Sequence, residues 1–164
     1  MQIELKMKKY LLLLVVVTTL SLSSCLKEGN DPFKDAQEQL TKDEEIIKKF
    51  IVDNNIPALR HESGIYYQII TPGSGTHTYT GNSKTTVNYK GRLLSGSIFD
   101  QSTNAITFSL GGVIVGWQIG VPLIQKGGKI RLLIPSGYAY GAGGSGSIPA
   151  NAVLDFDIEL VDVQ

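Results

Sequence analysis

"FSLGGVIVGWQIGVP", residues 108–122, leaves a β-type run, passes two adjacent glycines and sets the chain's single tryptophan, Trp117, between Gly116 and Gly120. The pattern predicts one short helix over residues 115–121. Pro122 ends it, because a proline has no N–H for the next helical bond and its ring strikes the carbonyl of Gln118. Taken alone, a lone indole at the end of an apolar run reads as a buried core residue.

On either side of this helix the texture is that of strands. "SGIYYQII" (63–70), "KTTVNYKGRLL" (84–94), "AITFSL" (105–110), "KIRLLI" (129–134) and "AVLDFDIELVDV" (152–163) carry alternating or β-branched apolar residues, and "PGSG" and "SGS" punctuate them. Residues 63–164 therefore read as an antiparallel sheet with a single short helix inside it, an α+β domain. No internal repeat is present.

A second helix precedes the sheet. Thr41 and Glu44 in "TKDEE" form a capping-box pattern with Asp43, Glu44 and Glu45 in the first turn, although the helix has room to begin as early as Phe33. Ile46, Ile47, Phe50 and Ile51 fall on one face, Lys48 and Lys49 on the other, and Asn54 and Asn55 supply a stop. The apolar face has two readings, packing on the sheet or self-association.

The N-terminus decides the compartment. "MKKYLLLLVVVTTLSLSSC" (7–25) has a basic start at Lys8 and Lys9, an apolar stretch over residues 10–20 and a small-residue run ending in "LSSC". That stretch is shorter than the roughly 20 residues of a membrane span. It is a secretion signal and resembles a bacterial lipobox, which implies cleavage before Cys25 and a lipid on its sulfur; the alternative is an ordinary signal with an incidental thiol. Met7 is a possible start. The polar "LKEGNDP" (26–32) reads as a tether.

The expected organisation is therefore a lipoprotein signal peptide (1–24), a lipidated tether (25–32), an N-terminal helical segment (33–62) and the sheet domain (63–164). One cysteine makes no internal disulfide. Beyond residue 24 the chain holds 12 basic and 14 acidic residues, a net charge near −2. With no basic patch, nucleic acid is excluded as a partner.

The usual catalytic patterns fail one by one. Gly141, Gly143 and Gly146 match G-x-G-x-x-G, but Pro149 and a strand-like run follow where a dinucleotide site needs a helix. His61 and His77 stand alone, without a carboxylate or thiol at ligand spacing, and are expected at the surface. No G-x-S-x-G elbow occurs. Asp155, Asp157 and Glu159 alternate along the last strand and read as one solvated face. No metal and no cofactor is expected.

What remains is aromatic and aliphatic: "VNYKGRLLSGSIFD" (87–100), "FSLGGVIVGWQIGV" (108–121) and "YAYGAGGSGSIPANAVLDFDIEL" (138–160). Over residues 63–164 the chain resembles the FKBP-type peptidyl-prolyl cis-trans isomerases. The resemblance implies an antiparallel β half-barrel wrapped around a short α-helix, preceded here by the N-terminal helix, with an apolar pocket between sheet and helix. Trp117 becomes the pocket floor. The walls become Tyr89, Phe99, Val113, Ile114, Ile148 and Phe156, with Phe99 and Ile148 near the rim, and Asp100 follows Phe99. Tyr140 directs its hydroxyl at a substrate carbonyl and the N–H of Ile114 serves another, while Phe108 supports the floor as core. Three departures stand out, one being that the loop "GAGGSGS" (141–147) has no aromatic or histidine tip. The stretch after Ser102 is short and lacks the arginine that partners the aspartate in well-known members, and Ile106 replaces a frequent aromatic.

The function implied is rotation about X-Pro bonds, without cofactor, in proline-containing unfolded or exported polypeptides at the bacterial cell envelope, lipid-anchored in the periplasm or at the outer membrane. Macrolide ligands join the implied partners. The rival reading is a non-catalytic chaperone or docking module using the same groove. A monomer is expected, because the roughly 20 residues around 33–54 bury little area per partner.

Overall fold

The computed structural model describes residues 31–164. The signal peptide, Cys25 and most of the tether lie outside the described residues. Seven strands make one antiparallel sheet: β1 (Leu59–Arg60), β2 (Tyr66–Thr71), β3 (Lys84–Leu93), β4 (Ile98–Gln101), β5 (Ile106–Ser109), β6 (Lys129–Ile134) and β7 (Leu154–Val163). Their order is β1-β2-β6-β7-β3-β4, with β5 also on β3. The strand β1 lies in the stretch assigned to the helical segment.

The long strands β3 and β7 pair antiparallel over most of their length, with a register shift between Thr86 and Val87. Such a bulge bends the strand and increases its twist, which helps the sheet curl around the short helix α2 (Val115–Gly120). The two glycines beside the tryptophan explain the closeness of that helix. A methyl group on Gly116 or Gly120 would sit 2.5 Å from Ile134 or Leu132 of β6, respectively, so a side chain at either position would lift the helix off the sheet. Pro122 lies in the 3-10 turn Val121–Leu123 that follows, as its chemistry requires.

The N-terminal helix α1 runs over Pro32–Asp53, from the earlier of the two starts. The capping-box reading at Thr41 does not hold, because both of its side chains have other partners. Thr41 Oγ1 donates to the Gln37 carbonyl at 2.9 Å. Glu44 accepts from Arg60 Nε and Nη2 at 2.8 and 2.7 Å and from the Tyr66 hydroxyl at 3.2 Å. The Arg60 guanidinium holds the Glu44 carboxyl below the usual carboxylate range. The stop is where the sequence puts it: Asn55 takes φ +52° and the Ile56 N–H reaches the Ile51 carbonyl at 3.0 Å, a left-handed cap.

Strand β6 separates the two helices. Leu132 and Ile134 face α2, whereas Leu133 points the other way and packs with Ile47 of α1, Tyr66 and Val153. This explains the unbroken apolar run "LLI": the strand is covered on both faces. Of the two readings of the α1 face, packing on the sheet is the one adopted. The face is rotated from expectation, however, since Ile46 is exposed and its place is taken by Asp43.

The covering helix also corrects the reading of the last strand. Asp155 is buried, not solvated, and accepts from Arg131 Nε and Nη2 at 2.9 and 2.8 Å and from Arg92 Nε at 3.2 Å. The cause is α1, whose Phe50 ring lies over the Arg131 guanidinium at 6.0 Å and shields that end of the row. Farther along, Asp157 and Glu159 remain partly exposed and pair with Arg92 and Lys129 at 2.8 and 3.1 Å. His61 and His77 are half-buried rather than open, each 3.0 Å from a serine hydroxyl, Ser63 and Ser83.

Candidate functional site

The inner face of β3 carries Val87, Tyr89 and Gly91 at strand spacing. Gly91 pairs with Asp100 of β4 on one side and Phe156 of β7 on the other. A methyl group there would lie 2.6 Å from the Phe99 ring and 2.7 Å from that of Phe156. The missing side chain lets those rings meet edge to face above β3, with centroids 5.4 Å apart.

Trp117 completes the cluster from the helix side. Its ring stands nearly perpendicular to Tyr89, Phe156 and Phe108 at 5.2, 5.3 and 6.1 Å. Each edge-to-face pair adds about 0.5–1.5 kcal/mol beyond area burial, so the indole is held from three sides. It is 4% exposed, and its Nε1–H has no acceptor among the described residues.

These rings enclose a cavity of about 330 Å³ lined by Tyr89, Phe99, Asp100, Phe108, Gly112, Val113, Ile114, Trp117, Tyr140 and Phe156. Two of the expected placements change. Ile148 is 7% exposed, belongs to the core and does not line the cavity. Mutual backbone bonds between Ser145 and Ile148, at 2.9 and 2.8 Å, close the glycine loop into a tight turn that folds Ile148 inward. Phe108, expected in the core, is half-buried and forms part of the wall beside Tyr89. Its neighbour on the same strand face, Ile106, is exposed and outside the lining.

Polar groups are few. The Tyr89 hydroxyl donates to Asp100 Oδ2 at 2.7 Å, so the aspartate that lacks its familiar arginine has a phenol for partner. Burial first, and then the neighbouring carboxylate, push the Tyr89 hydroxyl up to about 12. Ile114 caps α2, its carbonyl accepting from Trp117 and Gln118 at 2.9 and 3.3 Å, while its N–H takes no part in that turn. Gln118 Nε2 fixes the adjacent Val113 carbonyl at 2.8 Å. Tyr140, 40% exposed, borders the cavity.

A larger hollow of about 560 Å³ lies between α1 and residues 136–142. Among the described residues, Tyr138 and Phe33 are its only rings. A ligand recognised by stacking and a few donors has its walls in the smaller cavity.

Among the described residues no cluster of three or more metal-ligating side chains occurs, and no helix is long and apolar enough to cross a membrane.

Residues 75–161 match the family model described as FKBP-type peptidyl-prolyl cis-trans isomerase. The chain is 41% identical over 134 residues to the FKBP-type peptidyl-prolyl cis-trans isomerase FkpA of Buchnera aphidicola subsp. Schizaphis graminum, covering 80% of this chain and 52% of that one. It is similar in structure to the crystal structure of FkpA from Escherichia coli, with TM-score 0.68 and 40% identity over 80% of this chain and 62% of that one. It is also similar to a peptidyl-prolyl cis-trans isomerase from Pseudomonas syringae pv. tomato, with TM-score 0.65 and 37% identity over 78% of this chain and 95% of that one. The chain spans about half the length of the curated relatives it matches.

Proposed function

We propose that this chain, which belongs to the FKBP-type peptidyl-prolyl cis-trans isomerase family, catalyses rotation about X-Pro bonds in the cavity over Trp117. The observation that carries the reading is the aromatic enclosure itself: Tyr89, Phe99, Phe108 and Phe156 surround an indole floor in a space the size of a proline ring and its neighbours.

Rotation needs no nucleophile. The X-Pro amide crosses a barrier near 18–20 kcal/mol and takes tens to hundreds of seconds unaided. As it twists, the carbonyl loses negative charge and the nitrogen regains a lone pair. A dry aromatic site disfavours the planar, more polar ground state relative to the twisted one, and only such a difference accelerates the step. Lowering the barrier by about 5–8 kcal/mol supplies four to six powers of ten. In this reading Trp117 carries the ring, Phe99 and Phe156 wall it, and Val113 and Ile114 close the helix side. Asp100 holds the Tyr89 hydroxyl, while Tyr140 and the Ile114 N–H donate to substrate carbonyls.

The decisive experiment is turnover of a proline-containing peptide by residues 26–164, sedimented in parallel to check that the preparation is monomeric. Acceleration well above the uncatalysed rate is expected, and Tyr140→Phe should lower it about fivefold, one hydrogen bond's worth. No acceleration, together with suppressed aggregation of an unfolded client, would replace the isomerase with a docking module. Monomer formation is supported by α1, whose central Ile47 is already buried on its own sheet.

The signal-like N-terminus supports action on exported, unfolded polypeptides at the bacterial cell envelope, anchored through lipid on Cys25. Mass spectrometry of the native protein is expected to find Cys25 acylated at the new N-terminus; a free thiol there would sink the anchor.

A further inference from the structure

Asp43 lies in the middle of α1 and is wholly buried. Its Oδ2 accepts the Ser136 N–H at 2.7 Å and the Ser136 hydroxyl at 2.6 Å, and its Oδ1 accepts Gln39 Nε2 at 2.7 Å. Burying a carboxyl group is costly unless its oxygens are bonded. An apolar residue in series with Ile47 would dock the helix without that cost. Docking alone therefore does not account for an acid at this position, and what it reaches does.

Ser136, also buried, opens the 3-10 turn Ser136–Tyr138 directly after β6 and Pro135. The chain then passes Ala139, at φ −126° and ψ −107°, and arrives at Tyr140 beside the cavity. Beyond Ser136 the turn is only partly packed: Tyr138 and Ala139 are half-buried against the core, but Gly137 is exposed and a methyl group on Gly137 or Gly141 would meet nothing within 4 Å. Its further ties are short backbone bonds, Tyr138 to Pro135 at 3.0 Å, Ala139 to Ser136 at 2.9 Å and Asn151 to Gly141 at 2.8 Å. Exposed segments with few buried contacts open readily. The Asp43 bonds fix one end of this segment to the helix.

We propose that Asp43 is a positioning residue for Tyr140: by clamping Ser136 it holds residues 136–141 so that the Tyr140 hydroxyl meets the substrate carbonyl. The assignment rests on the isomerase reading of the cavity. It makes α1 part of the working site, although α1 supplies none of the residues that line that cavity.

A double-mutant cycle on the full chain tests it, with kcat/KM on a prolyl peptide measured for Asp43→Ala, Tyr140→Phe and the pair, and amide hydrogen exchange followed over residues 129–141. Asp43→Ala should lower kcat/KM by about threefold to fivefold, no more than Tyr140→Phe, since it acts through one hydrogen bond. In the Tyr140→Phe background it should change kcat/KM no further. Exchange at residues 137–141 should rise about tenfold or more while β6 stays protected, the mark of local opening. Asp43→Asn, which keeps one acceptor for Ser136, should recover part of the loss and carries the same cycle if the alanine variant does not fold. Losses that multiply in the pair, or exchange over 137–141 that does not move, would reduce Asp43 to a helix anchor and overturn the proposal. An inactive wild-type chain would instead refute the isomerase reading, leaving exchange over 137–141 to decide whether Asp43 holds the segment.

Discussion

Phe99→Ala is expected to lower kcat/KM on an X-Pro peptide by about one to two powers of ten while leaving the domain folded. The ring lines the cavity and meets Phe156 edge to face at 5.4 Å. A proline seated on Trp117 would lose one apolar wall, and full burial against a ring of that size is worth roughly 1.5–3 kcal/mol. The stability cost should be smaller, because Phe99 sits on β4, which pairs only with β3 at the end of the sheet, and is itself half-buried. A side chain that already faces a hollow leaves little new cavity when truncated. Turnover and urea midpoints on the same preparation separate the two effects. A variant that unfolds, yet turns over normally per folded molecule, would place Phe99 in the core and remove it from the site.

The parts of this fold that were legible in the sequence are those set by local chemistry. Alternating or β-branched apolar runs marked β2, β3, β5, β6 and β7 but not the short β1 and β4, Pro122 marked the end of α2, and Asn54 and Asn55 marked the end of α1. Apart from the two short strands, the failures in the fold involve a distant partner. Glu44 resembled a capping residue until Arg60, 16 positions away, claimed its carboxyl. The alternation of Asp155, Asp157 and Glu159 gave their common face correctly, but not that Phe50 of α1 shields Arg131 and, with it, Asp155.

The site shows the same division. Its members came from resemblance in "FD", "VIVGW" and "YAYG", not from spacing, since nothing local brings Tyr89, Trp117 and Phe156 together across three elements. The Tyr89–Asp100 bond and the inward turn of Ile148 needed the folded chain. Phe108, next to last in β5, stands opposite Thr85 and close to Tyr89 of the neighbouring strand, and the only sequence signal for it was the alternation that sets it on one strand face with Ile106.

Phe156→Ala is expected to have the largest effect on stability, costing about 3–5 kcal/mol, the usual range for a phenylalanine lost from a core. Phe156 is 4% exposed and lies on β7, which is flanked by β6 and β3 and so has no free edge. Its ring touches Trp117 at 5.3 Å and Phe99 at 5.4 Å. Trp117 cannot collapse into the gap easily, because it rides on a helix whose glycines are already against β6. The void would instead join the cavity and admit water beside the indole. Small domains have only about 5–15 kcal/mol in hand, so the variant should be almost wholly unfolded at the temperature where the parent chain is half unfolded. Trp117, as the single tryptophan, reports this directly. Its emission should shift to the red even in the folded fraction, and the urea midpoint should fall at an unchanged slope. Phe156→Leu, which refills part of the volume, should cost under about 1.5 kcal/mol. An alanine variant that loses less than about 1 kcal/mol without a red shift would contradict the measured range for core aromatics and would mean that the ring is a lid over the cavity, with the support of the Trp117 floor coming from Tyr89 and Phe108.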